Sequence, residues 1–441
     1  MPVFKRNTRV FARWRRMLHW LLLLLLLSVA IGSLVALFLW LLDAVTHLRW
    51  AYGWLLWLLP LAGIGIHLLY RLWGKDSERG NNLIIDEIHT PGGGVPARMT
   101  PLVFIATIIT HLFGGSAGRE GTAVQMGGSL AGVLARRFRL HKRATSLLLM
   151  AGIAGGFGAV FGTPVAGTIF AVEVLVVGRI HYKALLPCFA AAVLSDQVTA
   201  AWGIHHTHYA VAPLAAGSAS WAHTPAGIGI GAVLVGMASG LVAALFAGVS
   251  HSIKRWSLKL IKTEWLIPVA GALLLWAMVW LCGTTDYLGL GVTGQYRNSL
   301  SIVQAFKAGG AGYWSWLWKL VFTAVTLSTG FKGGEVTPLF FIGATLGNAL
   351  AMLCGAPADV FAALGFIAVF AGATNTPVAC TIMGAELFGT TYIAPFALAC
   401  LTAYYFSGYS GIYTAQRRHH TAAPGKSIRH YFRKGIPGRR W

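Results

Sequence analysis

The sequence predicts an all-α polytopic membrane protein, and three observations carry that prediction. Of 441 residues, 56% are apolar and 11% charged, and mean hydropathy is +0.65, too apolar for a soluble chain of this length. The apolar residues fall into repeated runs, several long enough to cover a bilayer core as helices. Many of the 54 glycines lie inside those runs, as expected where helices cross closely or break at membrane depth.

The formal charge of +22 is concentrated at the two ends. Lys5, Arg6, Arg9, Arg13, Arg15 and Arg16 precede the first run, and Arg417, Arg418, Lys426, Arg429, Arg433, Lys434, Arg439 and Arg440 follow the last. Cations flanking spans mark the cytoplasmic side, so both termini are expected there, with anionic lipid as a partner and no nucleic acid. The first run is long and lacks an Ala-x-Ala end, unlike a cleaved signal peptide. Cys188, Cys282, Cys354, Cys380 and Cys400 show no metal-ligand spacing and read as buried thiols, so neither a metal nor another cofactor is expected.

In chain order, a basic amphipathic stretch from Thr8 to His19 leads into a span from Trp20 to Leu42. A brief polar turn, Asp43 to Arg49, and a second span, Tyr52 to Leu72, complete a hairpin. Gly80-Asn-Asn-Leu-Ile-Ile85 is too short to cross and too apolar for an exposed loop, so it reads as a short segment approaching a site. Pro101 to Phe113 and Thr122 to Leu134 are half-helices interrupted by glycines. Ser146 to Phe161 and Pro164 to Val177 are separated by Gly162-Thr-Pro164, and Leu185 to Ala200 follows. Trp202 to Pro225, with His205, His206, His208 and His223, reads as an exposed outer loop. Gly227 to Ser250 re-enters the membrane, and the basic Lys254 to Lys262 is expected to interrupt it before Trp265 to Leu281. After the glycine-rich Thr284 to Gln295, spanning material continues as Trp314 to Ser328, Leu339 to Leu353, Ala362 to Ala371, Val378 to Phe388 and Ile393 to Phe406.

The two halves resemble each other. Thr163-Pro-Val-Ala-Gly-Thr-Ile-Phe-Ala-Val-Glu-Val174 aligns with Thr376-Pro-Val-Ala-Cys-Thr-Ile-Met-Gly-Ala-Glu-Leu387. Glu120 precedes the first Thr by 43 residues and Glu335 the second by 41. One membrane domain over 1–441 is therefore expected, with a first repeat over about 15–200, a second over about 225–415 and a basic tail over about 416–441. Duplicated broken helices are a transporter pattern, and inward-pointing helix N-termini favour an anion.

The chemistry centres on Gly114-Gly-Ser-Ala-Gly-Arg-Glu-Gly-Thr122. A carboxylate at membrane depth is costly and is first a functional candidate, so Glu120 reads as a gate or proton-transfer residue whose protonation releases it from the anion's place. Arg119, its chain neighbour, points about 100° away on a helix and is expected to be a poor partner. Arg119 instead reads as an anchor of the break. Glu335 holds the matching place in Gly330-Phe-Lys-Gly-Gly-Glu-Val-Thr-Pro338, as a pathway group or as a source of supporting hydrogen bonds. Val336 and Thr337 offer backbone N–H groups, Thr337 adds a hydroxyl, and Asn81, with Asn82 as its rival, offers an amide. Tyr413 offers a phenol just beyond the last span, where interface anchoring explains it equally well. Phe331, Phe340 and Phe341 read as packing or as pathway support. Glu173 and Glu386, the repeated acids, read as structural partners of helix ends.

At these residues the chain resembles the CLC chloride channel and proton-coupled transporter family, and within it the bacterial fluoride/proton antiporter branch. Gly118-Arg-Glu-Gly-Thr122 resembles the family's Gly-Lys/Arg-Glu-Gly-Pro element, with Thr122 in place of Pro and Glu120 as gating glutamate. Gly334-Glu-Val-Thr-Pro338 resembles Gly-x-Phe-x-Pro, with Val336 at the Phe. Asn81 falls at the Ser of the chloride branch, Val174 at its internal proton-transfer Glu, and Tyr413 at the central Tyr. The resemblance implies a CLC-like fold of two inverted-topology repeats with broken and tilted helices. It also implies a homodimer in the bacterial inner membrane that exports fluoride in exchange for protons and is not an enzyme. A chloride/proton antiporter or passive chloride channel with an atypical anion site is the alternative.

Overall fold

Apolar, break-poor runs give long helices, and each glycine-centred break divides what would otherwise be a span into two short ones. The computed structural model describes residues 3–212, 224–296, 298–408 and 410–418. The helices in order are α1 (Val3–Ala51), α2 (Leu59–Trp73), α3 (Asn81–His89), α4 (Met99–Leu112), α5 (Glu120–Arg137), α6 (Lys142–Phe161), α7 (Pro164–Glu173), α8 (Leu185–Ala201), α9 (Pro225–Leu260), α10 (Leu266–Cys282), α11 (Ile302–Ala305), α12 (Ser315–Ser328), α13 (Val336–Cys354), α14 (Ala358–Thr374), α15 (Pro377–Phe388) and α16 (Ile393–Phe406). Among the described residues, six helical stretches are long and apolar enough to cross a membrane, with shorter apolar helices between them. β1 (Val176–Val177) and β2 (Arg417–Arg418) make a short parallel pair that fastens the segment after α16 to the end of α7. The rest of the basic tail, 419–441, lies outside the described residues.

Two expected interruptions are absent. α1 runs unbroken through Asp43 to Arg49, because Asp43 and His47 form an i,i+4 pair at 3.6 Å on its exposed face and no helix breaker occurs before Gly53. α9 likewise continues through Lys254 to Leu260. Its last turns hold cations on an exposed face, which a helix leaving the bilayer tolerates. The thiols also differ from expectation: Cys188, Cys380 and Cys400 are buried, whereas Cys282 and Cys354 are only partly so, since each ends a helix beside a left-handed glycine.

The repeated Thr-Pro-Val-Ala segments begin α7 and α15. Before each, the preceding helix ends in a left-handed residue, Gly162 with φ 71° after α6 and Asn375 with φ 56° after α14. Asn is among the few side chains that tolerate this conformation. Proline then opens the next helix, where its missing N–H is no loss. The repeated acids cap these helices reciprocally. Glu173, at the end of α7, accepts from Val378 and Ala379 N–H at 3.1 and 2.8 Å at the start of α15. Glu386, near the end of α15, accepts from Val165 and Ala166 N–H at 3.0 and 2.7 Å at the start of α7. Each carboxylate thus satisfies two orphan donors and sits at the positive end of the helix dipole.

Glycine also sets the central packing. α5 crosses α6 at Gly127 against the carbonyl of Gly152, and α13 crosses α14 at Gly343 against the carbonyl of Gly365, with no room for a Cβ at either crossing. These backbone-close crossings hold α5 and α13, the two helices that begin at the breaks, deep in the protein.

Candidate anion and proton site

The two glycine breaks meet. Gly118 N–H donates to Gly334 O at 2.6 Å and Gly334 N–H donates back to Gly118 O at 2.7 Å. Each break therefore satisfies backbone groups of the other, which is how irregular backbone becomes tolerable at membrane depth. Only glycine allows the approach: a Cβ on Gly334 would lie 2.8 Å from Gly121 N. The bridge sets the N-termini of α5 and α13 side by side.

His111 braces the first break from α4. Its Nδ1 lies 2.8 Å from Thr107 O and its Nε2 3.0 Å from Ala117 O. Ser116 bonds Thr323 and Thr326 of α12, at 3.0 Å through its hydroxyl and 3.1 Å through its N–H. These side chains lock a segment that has no helical hydrogen bonds of its own.

Glu120 is the first residue of α5 and is 1% exposed. Its carboxylate points across to the start of α13. Thr337 N–H donates to Oε2 at 3.0 Å, and Thr337 Oγ1 lies 2.6 Å from Oε1 and 2.5 Å from Oε2. Arg119 N–H adds a bond to Oε2 at 3.2 Å. The carboxylate thus occupies the place that a helix N-terminus and a hydroxyl would offer to a small anion.

Arg119 departs from expectation, because its Nε lies 3.6 Å from Glu120 Oε1. The 100° rule applies within a helix. Arg119 is the residue before α5, with φ −116° and ψ −24°, so its side chain turns toward its neighbour. The contact is an ion pair without a hydrogen bond, and Nε has no hydrogen-bond partner among the described residues.

Asn81 opens α3, and its amide approaches the start of α5, since a Cβ on Gly121 would lie 3.5 Å from Asn81 Nδ2. Together with Tyr413, Val174, Phe170, Val124, Ile84, Ile85 and Ile153 it lines a cavity of about 10 Å³, the scale of a single water-sized sphere. Asn81 Oδ1 has no hydrogen-bond partner among the described residues. Asn82 does not line that cavity; it accepts from Ala415 N–H at 2.9 Å and so fastens the segment after α16. Tyr413 packs edge-on to Phe170 at 6.5 Å between ring centres.

The structure thus brings Glu120 with Thr337 and Asn81 with Tyr413 into adjacent groups that meet at Gly121. Val336, 2% exposed, opens α13 beside Thr337 but does not line the small cavity. Glu335 is the residue before α13, its carboxylate makes no hydrogen bond among the described residues, and Lys254 of α9 acts on it electrostatically. Phe340 stacks on Phe366 at 3.9 Å and meets Phe161 and Phe370, Phe331 packs on Gly63 of α2, and Phe341 lies under Lys319 Nζ at 5.2 Å. Each of these rings makes packing contacts.

Water-sized space reaches the centre from two faces. On the face where α1 ends, a vestibule of about 350 Å³ runs to His111 and Arg119, walled by Arg49, residues 203–207 and residues 285–295. At the other end of α2, a cavity of about 580 Å³ reaches Lys332 and Gly330, just before the second break. The histidine segment is not simply an exposed loop. Tyr209 turns inward to ring contacts with Phe306, Phe366 and Phe388 at 5.2, 5.5 and 6.0 Å. His206 lies 3.7 Å from Asp196, and His223 falls outside the described residues. A lone aromatic in a polar stretch, Tyr209 gave no periodic signal by which the sequence could mark it.

Comparison with known proteins agrees with this fold. Residues 62–408 match the family described as voltage gated chloride channel. A chloride/fluoride channel protein of Pseudomonas syringae pv. tomato is 48% identical over 415 residues, covering 92% of this chain and 88% of that protein. A solved CLC-type fluoride/proton antiporter superposes with a TM-score of 0.84 at 35% identity, covering 91% of this chain and 98% of that one. A slow cyanobacterial chloride/proton antiporter shares the fold, with a TM-score of 0.71 at 15% identity over 88% and 94% of the two chains. With two half-helices meeting at Gly118 and Gly334, a buried carboxylate between them, and matches of this extent, the chain is a multi-pass membrane protein of the CLC family.

Proposed function

We propose that the protein is a proton-coupled fluoride antiporter of the bacterial inner membrane, exporting fluoride from the cytoplasm in exchange for protons. One observation carries the reading: the Glu120 carboxylate sits on the N-terminal N–H and hydroxyl of Thr337. In the ionised form it competes with an anion for those donors. Protonation removes the charge that the donors hold, the side chain leaves, and an anion takes its place. Return of the carboxylate expels the anion and frees the proton, so the two movements are coupled and opposed.

Fluoride is small and strongly hydrated, and releasing its water requires several short, converging donors. Thr337, Asn81 and Tyr413 are the assigned donors, with Val336 contributing backbone N–H at the start of α13. The one-water scale of the space between Asn81 and Tyr413 supports a small anion. Glu335, with Lys254 near it, is assigned to proton transfer on the side of the larger cavity. Val174, apolar beside Tyr413, leaves the chloride branch's internal proton position without a carboxylate. The reading also takes the chain as two inverted repeats, as one subunit of a homodimer, and with both termini cytoplasmic, so that the Arg49 vestibule faces outward.

The test is reconstitution into liposomes with simultaneous fluoride, chloride and proton measurement. A fluoride gradient is expected to drive uphill proton movement, and Glu120→Gln to abolish that coupling. Fluoride flux that leaves protons undisturbed refutes the antiporter, and equal chloride flux refutes the selectivity. Passive chloride flux alone would identify the channel alternative.

A further inference from the structure

The vestibule on the face where α1 ends contains a cation that the exchange mechanism does not use. Arg49, in the last turn of α1, is 9% exposed. Its side chain is packed between two loops: its Cδ would lie 3.6 Å from a Cβ on Gly114, and its Nη2 4.0 Å from one on Gly289. The guanidinium has neither a hydrogen bond nor an ion pair among the described residues. Neither acid lining the vestibule pairs with Arg49: Asp43 lies 3.6 Å from His47 on the exposed face of α1, and Asp286 accepts from Leu300 N–H at 3.0 Å. A mostly buried guanidinium with no protein acceptor among the described residues, lining an open space, keeps its donors for what enters that space.

The surroundings add positive charge. Lys319, fully buried on α12, donates to Tyr287 O at 3.0 Å and Gly289 O at 2.8 Å. It thereby holds two carbonyls of the loop that packs beside Arg49. Gly289 N–H is in turn held by Gly115 O at 3.2 Å, which fixes this loop to the first break. Farther along the same vestibule stands Arg119, with a buried, unpartnered Nε 3.6 Å from Glu120. Guanidinium donors without a hydrogen-bond partner among the described residues therefore occur at both Arg49 and Arg119, buried at Arg119 Nε and open to the vestibule at Arg49.

We propose that Arg49 forms an additional anion-binding site in this vestibule, taking a small monovalent anion such as a halide. The anion accepts from the Arg49 guanidinium, and Arg119 relays it toward the place held by Glu120. Lys319 is a positioning residue that holds the loop carbonyls away from the anion. The site rests on the anion-transport reading for its purpose, while its occupancy is measurable without any transport.

The experiment is equilibrium dialysis of the purified full-length protein with sodium fluoride and, separately, sodium chloride, read by ion-selective electrode. Glu120→Gln serves as the background so that the central site is open throughout. Adding Arg49→Gln is expected to remove one bound halide per chain or to weaken it roughly tenfold or more, the effect of losing a charge-assisted contact. Arg49→Lys keeps the charge but loses the planar fork, and is expected to weaken binding by a smaller factor. Binding of both halides unchanged by Arg49→Gln overturns the site. Should that variant fail to fold, unaltered affinity in Arg49→Lys overturns it equally. Loss of halide binding in a protein that proves not to exchange protons leaves the Arg49 site standing while the antiporter reading fails.

Discussion

Replacing Thr337 by valine removes one hydroxyl while preserving shape, and it tests whether the hold on Glu120 sets the coupling. The hydroxyl lies within hydrogen-bond distance of both carboxylate oxygens, 2.6 and 2.5 Å, but it has one proton and so makes one bond at a time. A bond to an ionised acceptor contributes roughly 1.5–3 kcal/mol, so its loss lowers the ratio of docked to released carboxylate by about 10- to 150-fold. The Thr337 N–H at 3.0 Å and the Arg119 N–H at 3.2 Å remain, so docking is weakened and not abolished. A gate released more often lets fluoride pass without its proton. Thr337→Val is therefore expected to raise the fluoride-to-proton ratio in liposome flux measurements. Thr345→Val, which removes a hydroxyl bonded at 2.7 Å to Phe341 O on the same helix, is expected to leave that ratio alone. A folded Thr337→Val protein with parental stoichiometry and turnover would refute the assignment of Thr337 as the gate's seat.

Further outcomes are expected from the same geometry. Glu173→Ala leaves the part-buried Val378 and buried Ala379 N–H groups at the start of α15 without their acceptor, about 1–3 kcal/mol for the buried one, and should lower the unfolding midpoint in detergent; Glu386→Ala should act the same way at the start of α7 but by less, because its two bonds are more exposed. The two caps serve separate helix ends, so the double variant should lose close to the sum, and a double variant no worse than either single one would contradict independent caps. Gly343→Ala drives a methyl into the Gly365 carbonyl, and overpacking of about 1–3 kcal/mol should appear as reduced thermal stability; an unchanged midpoint would show that α13 and α14 can separate freely. Tyr209→Ala removes the ring wedged among Phe306, Phe366 and Phe388 and should lower the unfolding midpoint in detergent by an amount in the range of an aromatic truncation, about 3–5 kcal/mol, whereas Tyr209→Phe should keep the wedge. Equal midpoints in the two variants would show that the ring does not anchor this segment.

Hydropathy and punctuation were enough to read the helices from the sequence, because apolar runs and glycine or proline breaks act locally. The short α3, the split at Gly118 and the Thr-Pro starts of α7 and α15 all follow from residues within a few positions of the break. Local signals mislead at Asp43 to Arg49 and over most of Lys254 to Lys262, where polarity reads as a turn although the chain stays helical to Ala51 and to Leu260. Charged side chains on one exposed face leave the backbone helical.

Glu120 was legible for a related reason: a carboxylate among glycines in an apolar stretch has few structural uses. Its partner was not, since Thr337 lies 217 positions away and only the crossing of two breaks brings them together. The choice of Asn81 over Asn82 for the small cavity likewise depended on the start of α3 and on Ala415. The repeat predicted acids at matching positions, yet it took the folded chain to reveal that each acid caps the other half's helix. Arg49 carried no signal at all, being one cation at the end of a helix. Sequence alone determined which segments span, where they break and which buried charge is out of place, because those follow from composition and near neighbours. Tertiary structure decided what each charge faces, because partners hundreds of residues apart meet only when both breaks are packed against each other.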